Sequence, residues 1–370
     1  MERCDALIVG GGPAGSTLAR ALSRAGRDVV IIDRARFPRD KTCAGWITPA
    51  VAEALALDAA DYRAGGRVWQ PIDAFAVGLE GERPCRVDYP EPVSYGIRRC
   101  EFDHYLLARC GARLEHGVGL ERLERRGETW IVNDRWQTPL VVGAGGHFCP
   151  VARALGAVAE RETVVAAKEV EFELDAAQAA ACPVDGACPE LYFCRDLKGY
   201  GWVFRKGPVL NIGLGREDPR GLGPRLDAFC RALAAADRIP AALPRFKGHA
   251  YLLWGHQRRP PVHDGALLIG DAAGLAYPQS GEGIRPAVES ALLAARVLLA
   301  ADGRYTRERL APYERALAER FGPPRGPAPA WLGVLRRPLA RLLLTRPAFV
   351  RRVVLDRWFL HRDQAPLAAA

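Results

Sequence analysis

Three glycines near the beginning of the chain have the spacing of a turn that binds phosphate groups. They are Gly10, Gly12 and Gly15, and they follow an apolar run, Asp5–Val9, that is too short for a helix. In such a turn the first glycine permits the tight bend, the second lets the backbone approach a pyrophosphate, and the third lets the next helix pack on the strand. The spacing therefore predicts a strand, a phosphate-binding turn and the beginning of a helix.

The residues that follow predict the rest of a dinucleotide-binding unit. Small and apolar residues recur at helical spacing from Ser16 to Ala25, and Asp28–Ile32 is typical of a second buried strand, ending at Asp33. The helix would direct its unpaired N–H groups and the positive end of its dipole at the phosphates. Asp33 can accept hydrogen bonds from a ribose diol, so NAD and FAD both fit this unit.

A second glycine-rich element far downstream favours FAD over NAD. Gly265–Gly270 predicts a buried strand that delivers Asp271 into a turn, and after a loop Gly281–Ile284 opens a helix running to about Ala301. An aspartate in such a turn can bind a ribityl or ribose hydroxyl. A glycine-rich helix start can hold the negative charge that builds on a reduced flavin ring.

Further segments carry a family resemblance, and they are Arg99–Asp103, Gly270–Gly274, Lys41–Gly45 and Tyr200–Lys206. The first two, together with the glycine turn, resemble the fingerprints of flavoproteins built like p-hydroxybenzoate hydroxylase. The last two are similar to segments of the geranylgeranyl reductase family within that group. The resemblance covers about residues 1–300, in order.

The resemblance implies an α/β fold, in which an FAD-binding Rossmann-like domain carries an inserted antiparallel-sheet substrate domain and a helical C-terminal segment follows. The predicted FAD-binding domain is discontinuous (1–62, 95–160 and 248–300), the substrate domain comprises 63–94 and 161–247, and the C-terminal segment is 301–370. Alternating residues in 164–174, 191–194, 201–205 and 209–214 independently predict strands of a half-buried sheet.

The resemblance also implies a set of cofactor contacts. The residues expected to contact FAD are Gly10, Gly12, Pro13, Ala14, Gly15, Asp33, Arg34, Cys43, Ala44, Gly45, Arg99, Gly270, Asp271, Gly281, Gly283 and Ile284. Cys43 and Gly45 would lie beside the isoalloxazine ring. Two positions depart from the family pattern: Gly145 stands where a middle flavin fingerprint usually has an aspartate, and Arg205 stands where the Tyr-x-Trp-x-Phe-Pro-Lys segment has proline.

The reaction implied is reduction of isolated carbon–carbon double bonds in a geranylgeranyl-type polyprenyl substrate. Reduced FAD would pass a hydride to one alkene carbon while an acid protonates the other. Cys43, Tyr200 and Tyr277 are candidate neighbours of that chemistry, and Trp202 and Phe204 could line a lipid-sized cavity or belong to the core of the sheet. Since no second Gly-x-Gly-x-x-Gly follows a strand, transient NAD(P)H docking or a protein donor would reduce the flavin.

Two other functions fit the same motifs. A flavin monooxygenase or a halogenase acting on a small aromatic would use the same fold, although the halogenase segment Trp-x-Trp-x-Ile-Pro does not occur here. The third possibility is a non-catalytic protein whose FAD is structural. No Gly-x-Ser-x-Gly elbow or P-loop occurs, which argues against hydrolase and nucleotide-triphosphate chemistry.

Composition sets the remaining expectations. The 370 residues are 49% hydrophobic and 26% charged, as in ordinary globular proteins. Ten cysteines, with no signal-peptide pattern and no zinc-ligand spacing among Cys182, Cys188 and Cys194, predict reduced thiols, a cytoplasmic location and no metal site. No apolar run approaches the ~18 residues of a spanning helix.

The net charge of +9 is concentrated near the C-terminus, where residues 321–370 carry nine arginines and two aspartates. We do not expect a nucleic-acid partner. Two helical pieces, 331–344 and 348–360, are predicted after the Pro/Gly cluster at 322–327, and they would form a cap on the substrate domain. The alternative is an amphipathic segment in peripheral contact with anionic lipid, which would make the protein membrane-associated.

Overall fold

The computed structural model describes residues 1–256, 259–323 and 341–368. It confirms the predicted α/β class. In chain order the strands are β1 (Glu2–Arg3), β2 (Ala6–Val9), β3 (Val29–Asp33), β4 (Trp46–Ile47), β5 (Gln70–Ile72), β6 (Ala74–Leu79), β7 (Cys85–Asp88), β8 (Ser94–Gly96), β9 (Arg113–His116), β10 (Leu123–Arg126), β11 (Thr129–Val132), β12 (Trp136–Thr138), β13 (Val141–Gly143), β14 (Val165–Glu173), β15 (Glu190–Phe193), β16 (Gly199–Lys206), β17 (Val209–Arg216), β18 (Lys247–Tyr251), β19 (Val262–His263) and β20 (Ala266–Leu268).

The helices lie between these strands and after them. They are α1 (Pro13–Arg24), α2 (Pro49–Ala54), α3 (Ala59–Ala64), α4 (Arg99–Ala108), α5 (Pro150–Ala154), α6 (Ala176–Ala181), α7 (Leu222–Ala235), α8 (Ile284–Ala301), α9 (Arg307–Leu310), α10 (Pro312–Phe321) and α11 (Pro347–Phe349). A 3₁₀ turn occupies Gly270–Ala273, and α11 continues as a π-helix over Val350–Phe359. None of the helices in the described part of the chain is both long and apolar enough to cross a lipid bilayer.

A six-stranded sheet forms the centre of the first body, with the order β19-β20-β13-β2-β3-β9. Every neighbouring pair is parallel except β19 and β20. Its inner strands β2, β13 and β20 are buried along their whole length, which is why they are continuous apolar runs. Because the strands are parallel, the turns after β2, β3 and β13 meet at one edge, where α/β proteins bind ligands.

A seven-stranded sheet forms the second body, with the order β18-β14-β17-β16-β15-β6-β7. Its pairs are antiparallel except β15 with β6, so the four strands predicted between 164 and 214 are confirmed. Leu226, Phe229 and Leu233 of α7 pack on one face. The other face carries Trp202 and Phe204 and faces the first body. The strand β18 belongs to this sheet, although the predicted boundary puts 248 onwards in the FAD-binding domain.

The C-terminal segment packs on this second face. Phe359 is fully buried, and its ring centroid lies 6.0 Å from that of Trp46 and 5.4 Å from that of Tyr200. Arg351, Arg352 and Arg357 are exposed on the other side of the segment. The predicted piece 348–360 is thus a cap on the sheet. Most of the predicted helix 331–344 and of the Pro/Gly cluster at 322–327 lies outside the described residues.

A buried ion network ties this segment to the first body. Glu289 on α8 is 2% exposed and pairs with Arg285 at 2.8 Å (Nε to Oε1) and with Arg320 of α10. Arg285 also donates to the carbonyls of His361 and Gln364, at 3.2 and 2.9 Å. One carboxylate therefore neutralises two arginines that hold the end of the chain in place.

We expect Glu289→Gln to lower the free energy of unfolding by about 3 kcal/mol, because removal of one partner leaves a buried charge uncompensated. Denaturant unfolding followed by circular dichroism measures this, and proteolysis within 341–368 should become faster. The control is Glu319→Gln, which changes an exposed glutamate on α10 and should leave both measurements unchanged. Equal stability of the two variants would contradict the role given to the network.

Candidate active site

One cavity of about 470 Å³ lies between the strand ends of the first sheet and the inner face of the second. The first body contributes the turns after β2, β3 and β13 and the beginning of α8. The second contributes side chains of β14, β16 and β18. The loop between β3 and β4, with Arg39–Trp46, closes one side.

The glycine turn forms a cradle in which two of the three positions, Gly10 and Gly15, have no room for a side chain. Gly10 has φ +116°, and a Cβ there would lie 2.4 Å from the carbonyl oxygen of Ala144. A Cβ on Gly15 would lie 1.9 Å from the carbonyl oxygen of Gly10, so α1 packs directly against the turn. The nearest atom to a Cβ on Gly12 is 3.5 Å away, on Arg39, and Gly12 lines the cavity. The tight bend at Gly10 and the close packing at Gly15 agree with the spacing, and the approach of Gly12 to a pyrophosphate stays a prediction.

Two helices begin at the cavity. Gly12 precedes α1 and Gly283 precedes α8, and as glycines they bring no capping side chain, although Glu282 accepts the backbone N–H of Arg285 in the first turn of α8 at 3.0 Å. Residues of both first turns line the cavity, including Pro13, Ala14 and Ile284. The free N–H groups and helix dipoles make this a favourable place for an anionic diphosphate.

Asp33 ends β3 at the cavity wall. Its carboxylate accepts the N–H of Gly11 and the N–H of Ala35, both at 2.8 Å, which fixes its orientation. Each oxygen keeps lone pairs for further donors, and a ribose diol supplies two. Arg34 follows Asp33 in the wall.

A charged cluster lies farther along the cavity. Arg99 makes a bidentate pair with the buried Asp103, at 2.8 and 2.9 Å. Burial lowers the pKa of Lys41 to about 8, and the nearby Arg99 charge acts in the same direction. Burial by itself would raise the pKa of Asp271, but a contact with His249 and the charges of Lys41 and Arg99 outweigh it and lower that pKa.

Local packing explains why the middle fingerprint has glycine where an aspartate is usual. A Cβ on Gly145 would lie 3.2 Å from both Cys149 Cα and Pro150 Cδ. A larger side chain would press on the beginning of α5, so glycine suits this turn. Gly145 still lines the cavity.

These residues fit FAD. The glycine cradle and two helix N-termini suit the diphosphate, Asp33 suits the ribose, and Asp271 with Arg99 provides polar contacts beyond them. Cys43, Ala44 and Gly45 line the cavity next to the second sheet.

Most of the predicted site residues come together in this cavity. Those that line it are Gly10, Gly12, Pro13, Ala14, Asp33, Arg34, Cys43, Ala44, Gly45, Arg99, Tyr200, Trp202, Asp271, Gly281, Gly283 and Ile284. Gly15 and Gly270 lie behind the wall, and Gly270 packs against Ala14 and Ala287. Phe204 packs on Trp46, and Tyr277 stacks on His361 at 3.7 Å between ring centroids, so both rings lie outside the lining.

The sheet side of the cavity contains residues that the sequence patterns did not single out. Trp46, Glu169, His249 and Tyr251 all line it. Glu169 could have been noticed, because it is an acidic residue on the inward face of a predicted strand. Trp46 is in the short strand β4 and the other two are in β18, outside the recognised motifs.

The comparisons with known proteins agree with this geometry. A family model for an FAD binding domain matches residues 3–56. The menaquinone reductase of Mycobacterium tuberculosis is 33% identical over 94% of this chain and 86% of its own length. The digeranylgeranylglycerophospholipid reductase of Methanocaldococcus jannaschii is 26% identical over 85% of this chain and 82% of its own length.

Solved structures share the fold. A geranylgeranyl bacteriochlorophyll reductase-like protein from Thermoplasma acidophilum has a TM-score of 0.74 at 22% identity, covering 94% of this chain and 88% of that one. A mutant of the halogenase PltM in complex with FAD has a TM-score of 0.69 at 17% identity, covering 94% and 77%. The fold and the cavity therefore define an FAD-dependent oxidoreductase of the p-hydroxybenzoate hydroxylase-like class. Within that class the chain belongs to the geranylgeranyl reductase family.

We expect Gly15→Ala to reduce FAD affinity by about tenfold or more, because moving α1 away from the turn weakens charge-assisted contacts to the diphosphate. The ratio of flavin to protein absorbance after purification and dialysis measures the loss. Gly223→Ala is the matched control, since a Cβ there finds its nearest neighbour 3.9 Å away, at Lys168 Nζ. Full flavin retention by Gly15→Ala would contradict the cradle.

Proposed function

We propose that this protein reduces isolated carbon–carbon double bonds of a polyprenyl lipid with electrons from FAD. The observation that carries the proposal is that one cavity joins the nucleotide-binding turn to an aromatic wall. Gly12 and Asp33 line it together with Trp46, Tyr200 and Trp202. An apolar chain lying along that wall would reach the part of the cofactor next to Cys43.

The relatives support an isoprenoid substrate. They are named for menaquinone, digeranylgeranylglycerophospholipid and geranylgeranyl diphosphate. These compounds differ in their polar groups and share a polyprenyl chain. We therefore propose a polyprenyl chain as the reacting part of the substrate and do not specify its polar group.

Residues at different places in the cavity have different proposed roles. The first turns of α1 and α8 would hold the diphosphate, and Asp33 the ribose. Cys43 and Tyr200 are proposed neighbours of the reacting atoms, and Trp202 would contact the lipid. Phe204 would act indirectly, since its ring packs edge-to-face on Trp46, 5.9 Å between centroids. When bound, FAD supplies the hydride, and the aromatic wall excludes water. NAD(P)H docking transiently, or a protein donor, would return the electrons.

The decisive experiment is anaerobic. The holoenzyme is reduced, a geranylgeranyl lipid is added, and the visible flavin band is followed without oxygen. We expect the band to return and mass spectrometry to find a product with two more hydrogen atoms for each bond reduced. The fully saturated analogue of the same lipid is the control and should not restore the band.

Other outcomes would assign other chemistry. No return of the band with prenyl lipids, together with oxygen consumption and a hydroxylated aromatic product, would place the protein among the monooxygenases. A bound flavin that neither accepts nor releases electrons would indicate a structural cofactor. Either result contradicts the proposal.

Peripheral contact with an anionic membrane is a separate proposal for the C-terminal segment. Its apolar residues Val350, Val354 and Phe359 are buried on the sheet. Contact would thus depend on the exposed charges of Arg351 and Arg352, and salt would weaken it. Sedimentation with anionic vesicles should show binding at low salt that is lost at high salt. Absence of binding at low salt would contradict it.

A further inference from the structure

Two carboxylates stand side by side on the inner face of the second sheet. Glu169 and Glu171 are two positions apart on β14, so their side chains leave the same face. Asn211 on β17 lies between them, with Nδ2 3.4 Å from Glu169 Oε2 and 3.1 Å from Glu171 Oε2. Trp202 donates to Asn211 Oδ1 at 2.7 Å and fixes the amide.

The structure gives these carboxylates different partners. Glu171 pairs with the buried Lys206, and its Oε1 lies 3.5 Å from Arg98 Nε. Glu169 accepts the backbone N–H of Cys43. Within the described ranges, the ion pairs of this cluster go to Glu171 and none goes to Glu169. Two neighbouring acids thus differ in their surroundings: Glu171 pairs with cations, and Glu169 has none among the described residues.

Burial raises the pKa of Glu169 to about 7. Burial is the largest cause of this net value; the negative charge of Glu171 acts in the same direction, while the N–H of Cys43, the charge of Lys206 and Asn211 act in the opposite direction. Lys247, opposite Glu169 on β18, is a further charged neighbour, and it pairs with Asp40, while Lys41, His249, Asp271 and Glu282 line the same cavity. A carboxyl group with a pKa near neutrality can both hold and give up a proton.

Glu169 is also placed where a proton is needed. It is 5% exposed, it lines the cavity, and its partner Cys43 is expected beside the flavin ring. The Tyr200 hydroxyl already donates to the carbonyl of Ser280, and burial raises the pKa of Tyr200 well above its usual value. Tyr200 is therefore a weaker acid than Glu169.

We propose that Glu169 is the proton donor of the reduction, an assignment that rests on the proposed function. The O–H bond of Glu169 breaks as a C–H bond forms at one alkene carbon, and the π electrons make that bond. The other carbon receives a hydride, two electrons with one proton, for which reduced FAD is the source. Glu169 is left as a carboxylate and regains a proton from solvent before the next turnover.

The test uses the holoenzyme and Glu169→Gln, which keeps the size of the side chain and an acceptor for the Cys43 N–H. We expect reoxidation of the reduced holoenzyme by a geranylgeranyl lipid to slow by about 100-fold or more. In the wild-type protein the rate should fall about tenfold per pH unit above the pKa of Glu169, because the protonated fraction falls. That pH dependence should be lost in the variant.

A second measurement does not depend on turnover. Infrared spectra of the wild-type holoenzyme should show the carbonyl band of a protonated carboxyl group that disappears as pH rises through neutrality. The band should lose intensity in Glu169→Gln without vanishing, because Glu282, a second cavity-lining carboxyl whose pKa burial raises to about 7, contributes the rest. Glu173→Gln is the matched control, since Glu173 is on the same strand and exposed, and it should keep both the band and the rate.

The outcomes separate the two proposals. If the wild-type protein is not reoxidised by the lipid, the proposed function fails. If Glu169→Gln reacts at the wild-type rate with the wild-type pH dependence, only the role of Glu169 fails. The same follows if Glu169→Gln keeps the full band and the pH dependence while Glu282→Gln loses both, because the proton would then come from Glu282.

Discussion

The contact between the beginning of α1 and the turn after β2 determines where everything else in the site must lie. Gly15 brings the helix so close to Gly10 that any Cβ would overlap the carbonyl oxygen. That contact aims the N-terminus of α1 into the cavity. The helix α8 packs against α1, so its own N-terminus opens at the same place. A diphosphate there meets two helix dipoles instead of one.

The second sheet provides a different environment on the other side of the cavity. Its inner face combines aromatic rings with a short run of polar side chains. In that run Glu171 forms ion pairs, and Glu169 forms none with the described residues. Lys206 also donates to the carbonyls of Ala44 and Ile97, both at 3.0 Å, so the cation that balances Glu171 also fixes the loop beside the cofactor site. Lys206 therefore both positions the loop and supplies the cation that distinguishes Glu171 from Glu169.

Much of this could be predicted from the sequence because the signals are local. The strand, turn and helix of 6–24 depend on glycines within a few residues of one another, and α8 was expected over the range it occupies. Glu169 was not predicted as functional. Its proposed role depends on Asn211, which reaches it only when β14 and β17 pair, and on Cys43, which reaches it only when the loop after β3 packs against the second sheet. The placement of Phe204 behind Trp46 likewise depends on packing between distant segments.

The order of the strands in the first sheet has a consequence for biosynthesis. The neighbours of β2 include β13 (Val141–Gly143), and β13 is flanked on its other side only by β20 (Ala266–Leu268), much further along the chain. The ribosome therefore releases the phosphate-binding turn long before its flanking strand and α8 exist. Until then the apolar β13 lacks one of its neighbours and α1 lacks α8, a situation that slows folding and favours chaperone binding. Capture of the cofactor must wait until nearly four-fifths of the chain has emerged.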